Sequence, residues 1–372
     1  MALRGLRMTD TLNPAAAREA IEFAYDQGWS DGLPVVPPTE DHLAEFLAQT
    51  SLAPNDDLAT AEHLGMSVTV AQAALNAIMA GCRPAYFPVV LAAIEALWGG
   101  QRGFNPMLAS TTGPAPLLIV NGPIRTELGL NCAGNIFGPG FRPNATIGRT
   151  IRLLVLNVFG LKPHELDQAC QSTPAKYTCC FGENEEASPW ASLAADRGFG
   201  LAQNTVTGFM ARSTAHVENR TSADPEHVLL TIADAMSYGG AHVSLGHAAL
   251  VVVMGPEHAQ LLASKGWSKQ QARHFLFEHC GRRLGDLRRM GKGEFEELIG
   301  APGEYRLVDR SHQPMPGAAA LPDDHFVRFC GSPEDILLVV AGANNAGVST
   351  VVPGLGTRDG PPFATAAIPA VA

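Results

Sequence analysis

Two short segments gather the side chains best suited to chemistry. In the loop NCAGNIFGPGFRPN (131–144), Gly134, Gly138 and Gly140 permit close backbone approach, while Asn131, Asn135 and Asn144 offer amides. Arg142 and, further on, Arg149 add fixed positive charge. Asn144 stands where it could cap a following helix. A helix N-terminus beside two arginines would accept a carboxylate or a phosphate. The plainer alternative is a tight turn whose arginines pair with surface acids.

The second segment is KYTCCFGENEEASPW (176–190). Cys179 and Cys180 are adjacent, so their Cα atoms are about 3.8 Å apart, too close for an unstrained disulfide. A thiol among Glu183, Glu185 and Glu186 titrates high unless a cation is near, so Cys180 as a nucleophile needs Lys176, Arg142 or a helix N-terminus beside it. The glutamates could instead do acid–base work or hold a hard cation, with Glu183 and Glu186 on one face if the segment is helical. They could also be an inert, solvated first turn. Tyr177 joins the candidate substrate-binding set. Asp31, in SDGLPVVPPT, is either an Asx-type turn residue or a catalytic, substrate-orienting acid.

Other patterns carry less. GPGFRP lacks the last glycine of a dinucleotide loop, and in GANNAGVS (342–349) Val348 stands where a P-loop needs lysine. His242/His247 and His274/His279 are each five apart, which suits no helical zinc pair, so no zinc site is expected and no metal ligands are assigned. His63, His216 and His258 are acid–base candidates only singly. The sequence leaves the cofactor unknown.

The elements that must position these residues read as α/β. Helices are expected over 14–28, 41–49 and 268–279, with two more in 67–98 broken at Gly81–Pro84. VVLAAIEALWGG (89–100) leads into PLLIVNGP (116–123), and VLLTIADAMSYGG (228–240) leads into AALVVVMGP (248–256). Both read helix, Gly-Gly stop, loop, buried strand, Gly-Pro turn, which suggests two related α–β units and an internal duplication. DILLVVAGAN (335–344) is a third related strand. The implied organisation is 1–66 for N-terminal helices and a Pro-rich turn, 67–220 and 221–285 for the two units, 286–330 for an excursion or linker, 331–359 for the last strand and its glycine loop, and 360–372 for a loose tail.

The 372 residues carry 26 Lys+Arg against 36 Asp+Glu, a net charge of −10, with 46% hydrophobic and 17% charged residues. That excludes a disordered chain and argues against a nucleic-acid binder, which needs a basic face. Single cores stop growing at about 250–300 residues, so two lobes are expected. Seven cysteines without C-x-x-C pairs suggest reduced thiols in the cytoplasm. The first thirty residues show no signal-peptide core, and the most apolar stretches fall short of the roughly 20 residues that cross a bilayer, so neither secretion nor membrane insertion is expected.

In combination, WSDGLPVVPPTE (29–40), NAIMAGCRP (76–84), LLIVNGPI (117–124), FGPGFRPNATIGR (137–149), KYTCC (176–180), ENEEASPW (183–190) and GPEHA (255–259) resemble a widespread, largely uncharacterised bacterial family. Its members accompany small proteins with a selenocysteine- or cysteine-Gly-Ser-Cys motif, and the resemblance covers most of residues 20–280. It implies sulfur, selenium or reductive chemistry and a thiol or selenol redox partner. It also implies that Cys180 is the active thiol, because Cys179 falls where an aromatic is more usual. The family's C-terminal loop often ends in a Lys/His-Ser pair, which AGANNAGVST lacks.

The expectation is a homo-oligomeric enzyme acting on a small anionic metabolite held by Asn131, Asn135, Arg142, Asn144, Arg149 and Tyr177. Cys180, Glu183, Glu186 and Asp31 would run a lyase-like elimination or addition, or a thiol-assisted reduction. The alternatives are a carboxylate-driven, metal-assisted hydrolase or dehydratase, and a non-catalytic binding subunit for a redox partner.

Overall fold

The computed structural model describes residues 14–61, 65–99, 108–200, 202–238, 248–291, 321–354 and 362–370. Helices form largely where caps and stops demand them. Thr69 and Gln72 make a reciprocal capping box at the start of the Val70–Ala80 helix, and Gly81 ends it in a left-handed conformation (φ 91°). Pro84 then allows a fresh start, and the Phe87–Trp98 helix is apolar nearly all round because it lies inside the molecule. Ser268 and Gln271 repeat the capping box at the Lys269–His279 helix.

The described residues form twelve strands, β1 to β12 in chain order. β1 (Asp57–Ala61) and β2 (Met66–Thr69) form a small antiparallel pair. β3 (Ala115–Asn121), β4 (Cys180–Gly182), β5 (Thr205–Ala211), β6 (Ala215–Glu218) and β7 (Ala249–Met254) belong to the main sheet. β8 (Gly281–Arg283) and β9 (Phe326–Arg328) make a second small pair, and β10 (Ile336–Val340), β11 (Val348–Gly354) and β12 (Ala364–Ala367) complete the main sheet. Its central path runs β10-β7-β11-β5-β3-β4, with β6 on β11 and β12 on β5. β10–β7 and β3–β4 are parallel and the rest antiparallel, so the fold is α/β with a mixed sheet.

Alternation along the strands sorts side chains into three cores. Leu118, Val120, Cys180, Val206 and Met210 face the Val70–Ala80, Phe87–Trp98 and Arg142–Asn157 helices. Leu250, Val252, Met254, Leu338 and Val351 face the Pro225–Met236, Pro256–Ser264 and Lys269–His279 helices. The intervening residues Leu117, Ile119, Phe181, Phe209, Val251, Val253, Leu337 and Val352 meet one another in a third cluster. Both end strands of the path, β4 and β10, contribute to that cluster, so the sheet is rolled and not flat. Just past those strands, the Asn184 N–H donates to the Val340 carbonyl at 2.7 Å.

The two expected lobes therefore share one sheet. Each candidate strand does lie between a parallel and an antiparallel neighbour, β3 between β4 and β5 and β7 between β10 and β11. The Gly-Pro turns, however, are not equivalent points. Aligning them sets Val120, which faces the helices, on Val253, which faces the interior. A one-residue shift reverses every side chain, so the motif match does not support an internal duplication. Of the expected loose tail at 360–372, the described residues 362–370 are packed: β12 pairs with β5 and Phe363 is fully buried. Most of the expected 286–330 excursion (292–320) lies outside the described residues, as do His63, His242 and His247.

Candidate functional site

The carboxylates collect at the ends of the parallel strands β3 and β4. Asn121, the last residue of β3, donates from Nδ2 to Glu183 Oε2 (2.6 Å) and to Glu185 Oε1 (2.8 Å). Gly122 turns the chain at φ 93°, and its N–H reaches the same Glu185 oxygen at 2.8 Å. A Cβ at Gly122 would strike Asn204 Oδ1 at 2.5 Å, so the turn has room only for glycine. Arg125 then comes back under the strand ends. It donates to the Glu183 carbonyl (2.6 Å), to both Glu186 oxygens (3.1 and 3.0 Å), and lies 3.2 Å from Glu185 Oε2. Segment 183–187 is not helical, with a turn at 185–187, so Glu183 and Glu186 meet through Arg125 and not along a helix face.

One guanidinium thus serves two carboxylates and the Glu183 carbonyl. Glu183 is fully buried and accepts a second bond from the Leu193 N–H at 2.7 Å. Burial pushes its carboxyl above the ordinary range, against the pull of Lys269, the Leu193 N–H and the Asn121 amide. Glu186 is held below that range by its bonds to Arg125. For Arg125 itself burial opposes the charge, but the bond to Glu186 and the charges of Glu185 and Glu186 outweigh it. Three buried oxygens here have no hydrogen-bond partner: Glu183 Oε1, Asn121 Oδ1 and the hydroxyl of Thr205, the register partner of Asn121. Among the described residues, no group of three or more His, Cys, Asp or Glu side chains is placed to hold a metal ion.

The Gly-rich loop does different work. Asn131 and Asn144 bind each other: the Asn131 N–H donates to Asn144 Oδ1 at 2.8 Å, and Asn144 Nδ2 donates to the Asn131 carbonyl at 3.0 Å. Asn144 is therefore not a cap; the helix begins two residues earlier, at Arg142, and Asn144 is buried inside its first turn. Asn135 takes a left-handed conformation (φ 63°) and bonds the Pro139 carbonyl, closing the loop on itself. Arg142 donates to the Gly81 carbonyl at 2.9 Å. Arg149 grips Asp31 with two bonds, 2.9 and 2.7 Å, so the expected anion site between the two arginines is not assembled.

Cys180 is a correction of another kind. Strand alternation turns it into the helix-side core and turns Cys179 into the sheet's interior. Burial raises both thiols, Cys179 up to about 12 and Cys180 further, with Cys179 and Cys82 as additional causes for Cys180. Lys176, proposed as its activating cation, is instead 2.6 Å from Asp167. Among the described residues, no cation or side-chain donor is placed to stabilise a thiolate at Cys180.

Asp31 and Tyr177 do meet elsewhere. With Arg152, His164, Asp167 and Lys176 they line a cavity of about 460 Å³ between the Asp31 turn, the Arg142–Asn157 helix and the 163–177 loop. Asp167 is shared between Lys176 and Arg152, the latter at 3.6 Å. Arg152 is 12% exposed, and burial lowers its pKa in spite of Asp167 and Asp31.

No family model, curated protein or solved structure matches the chain. Sequence reasoning singled out Glu183, Glu186, Asp31 and Tyr177, but in two places and not one. It missed Asn121, Arg125, Arg152 and Asp167. Two signals were available: Arg125 sits three residues past a Gly-Pro strand exit's glycine, and Arg152 lies one helical turn from Arg149 on the same face.

Proposed function

We propose that the protein is an enzyme of small-molecule metabolism that takes a small anion, a carboxylate or a phosphate, into the cavity lined by Arg152 and Lys176. One observation carries this reading. Arg152 is a largely desolvated guanidinium at a cavity wall whose nearest carboxylate, Asp167, is 3.6 Å away and already bonded to Lys176. A planar donor fork left short of acceptors is what an anionic ligand completes. A volume of about 460 Å³ falls within the usual range for small-molecule sites, roughly 300–1,000 Å³.

Around such an anion stand groups able to move protons: the half-exposed Tyr177 phenol, the His164 imidazole and the Lys176 amine. That supply suits a lyase-like elimination or addition, in which one group takes a proton beside the anchored anion and another returns one. The buried thiols favour no role for Cys180 in the step. Seven unpaired cysteines suit a reducing compartment such as the cytoplasm.

Calorimetric titration with inorganic phosphate, malonate and citrate tests the anchor. Saturable binding of at least one is expected, with about 10- to 100-fold loss in Arg152→Gln, the equivalent of a charged hydrogen bond of roughly 1.5–3 kcal/mol. No saturation by any of the three, or equal affinity in Arg152→Gln and Lys176→Ala, overturns the proposal.

A second reading has its own support. The unpartnered Oε1 of Glu183 and its raised pKa favour a buried proton carrier, as in a carboxylate-driven dehydratase. Once a substrate is found, a Glu183→Gln chain that keeps its full turnover rate removes this reading.

A further inference from the structure

A cavity of about 780 Å³ lies away from both of these places, along the Lys269–His279 helix and the turn before it. Its wall is aromatic. Trp267 meets Phe275 edge to face (centroids 5.6 Å, 82°), and Phe275 stacks on His279 (4.0 Å, 19°). Trp267 is half-buried, and the Trp190 indole N–H donates to its carbonyl at 3.1 Å, which fixes the backbone that carries the ring.

The charge at the cavity is positive and unevenly matched. Arg273, Lys265 and His274 line it. Of the facing acids, Glu278 is paired with Arg328, leaving Glu334 exposed at the edge. Among the described residues, neither Arg273 nor Lys265 has a carboxylate within ion-pair distance, whereas Lys269, one turn before Arg273, is matched by Asp196 at 2.7 Å. The Nε of Arg273 is shut off from solvent with no hydrogen-bond partner. Burial and, after it, the nearness of Arg273 lower the pKa of Arg197 against the pull of Asp196, so a second cation stands close to Arg273. Two cations in proximity repel each other, and an anion bound beside Arg273 relieves that repulsion.

We propose that this cavity binds a planar aromatic anion of about mononucleotide size, its ring against Trp267 and its charged group against Arg273. The aromatic wall supplies stacking area at little entropic cost, and the guanidinium supplies the fork for a phosphate or a carboxylate. A nucleotide and an aromatic carboxylate share this chemistry.

Tryptophan fluorescence of the full chain reads the site, with AMP and 4-hydroxybenzoate as the aromatic anions and adenosine and inorganic phosphate as their separate halves. The expected result is saturable quenching by at least one aromatic anion, absent in Trp267→Phe, and at least 10-fold weaker in Arg273→Gln. Binding by the corresponding half-ligands is expected to be at least 10-fold weaker than by the whole. AMP alone quenching identifies a nucleotide; 4-hydroxybenzoate alone identifies an aromatic acid. If neither saturates, if the quenching persists in Trp267→Phe, or if adenosine binds as tightly as AMP, the proposal falls. Should Arg273→Gln not fold, Arg273→Lys and the AMP-to-adenosine ratio in the unaltered protein decide it.

Discussion

Arg149 clamps Asp31 across 118 residues of chain: its Nε and one terminal nitrogen each take one carboxylate oxygen, at 2.9 and 2.7 Å, and the same terminal nitrogen also donates to the Leu33 carbonyl at 3.0 Å. The Ser30–Leu33 turn is thereby pinned to the Arg142–Asn157 helix, and Asp31 is set in the wall of the Arg152 cavity. Both side chains are largely buried, so the pair is a structural joint as well as a boundary of the site.

Asp31→Asn leaves the guanidinium of Arg149 without its counter-charge and should cost about 3 kcal/mol, at the low end for breaking a buried ion pair. Arg149→Lys keeps the charge but loses the fork and should cost less. Urea denaturation checks both: the midpoint should fall with an unchanged slope. A midpoint equal to that of the unaltered chain in Asp31→Asn would mean that the clamp does not hold the turn.

Gly148→Ala sets two effects against each other. Alanine is better than glycine in a helix by about 1 kcal/mol. At Gly148, however, a Cβ would lie 2.4 Å from Thr178 Oγ1 and 2.9 Å from the Cys179 backbone nitrogen. The backbone cannot swing aside as a side-chain tip can, so overpacking of roughly 1–3 kcal/mol wins. Net destabilisation in thermal melts is the expected outcome, and a more stable variant would show that the helix can move off β4.

The pH dependence of stability should carry the mark of Glu183. Burial raises its pKa in the folded chain, so the folded state holds this proton more tightly than the unfolded one. Its contribution is fully present below the unfolded value, about 4.3, and is lost as pH rises through the raised folded value. Glu183→Gln has no proton to lose there, so its melting temperature should fall less than that of the unaltered chain between pH 5 and pH 8. Glu186 works the other way. Arg125 depresses it, so its contribution is present above the unfolded value and lost as pH falls through the folded one; at 66% exposure that effect is screened. Parallel pH–melting curves for Glu183→Gln and the unaltered protein would refute the assignment.

Thiol reactivity separates the cysteines. Cys170 is exposed and Cys132 half-buried, while Cys179 and Cys180 are buried with raised pKa values. Timed alkylation with iodoacetamide, read by peptide mass, should label Cys170 first and leave Cys179 and Cys180 unlabelled until the chain is unfolded. Rapid native labelling of Cys180 would restore it as a nucleophile.

What the sequence determined by itself is local. Buried strands show as β-branched runs ending in glycine turns, the Lys269–His279 helix announces itself through Ser268 and Gln271, and the break at Gly81–Pro84 follows from two residues that cannot continue a helix. These features depend on neighbours within a few positions, so their residue types suffice. The α/β class followed from them.

Only the tertiary structure decided which faces and which charges meet. Cys179 and Cys180 are one position apart, yet the pleat sends one into the rolled sheet's interior and the other toward the helices, and no composition tells which layer receives which. The same one-residue parity undoes the likeness of the two Gly-Pro units. Arg149 was expected beside an anion and meets Asp31; Arg125 attracted no notice and gathers Glu185 and Glu186. A charge carries no mark of its partner in the sequence. The pairing is set by where the rolled sheet brings the ends of β3 and β4 and by where the Arg142–Asn157 helix crosses the Asp31 turn.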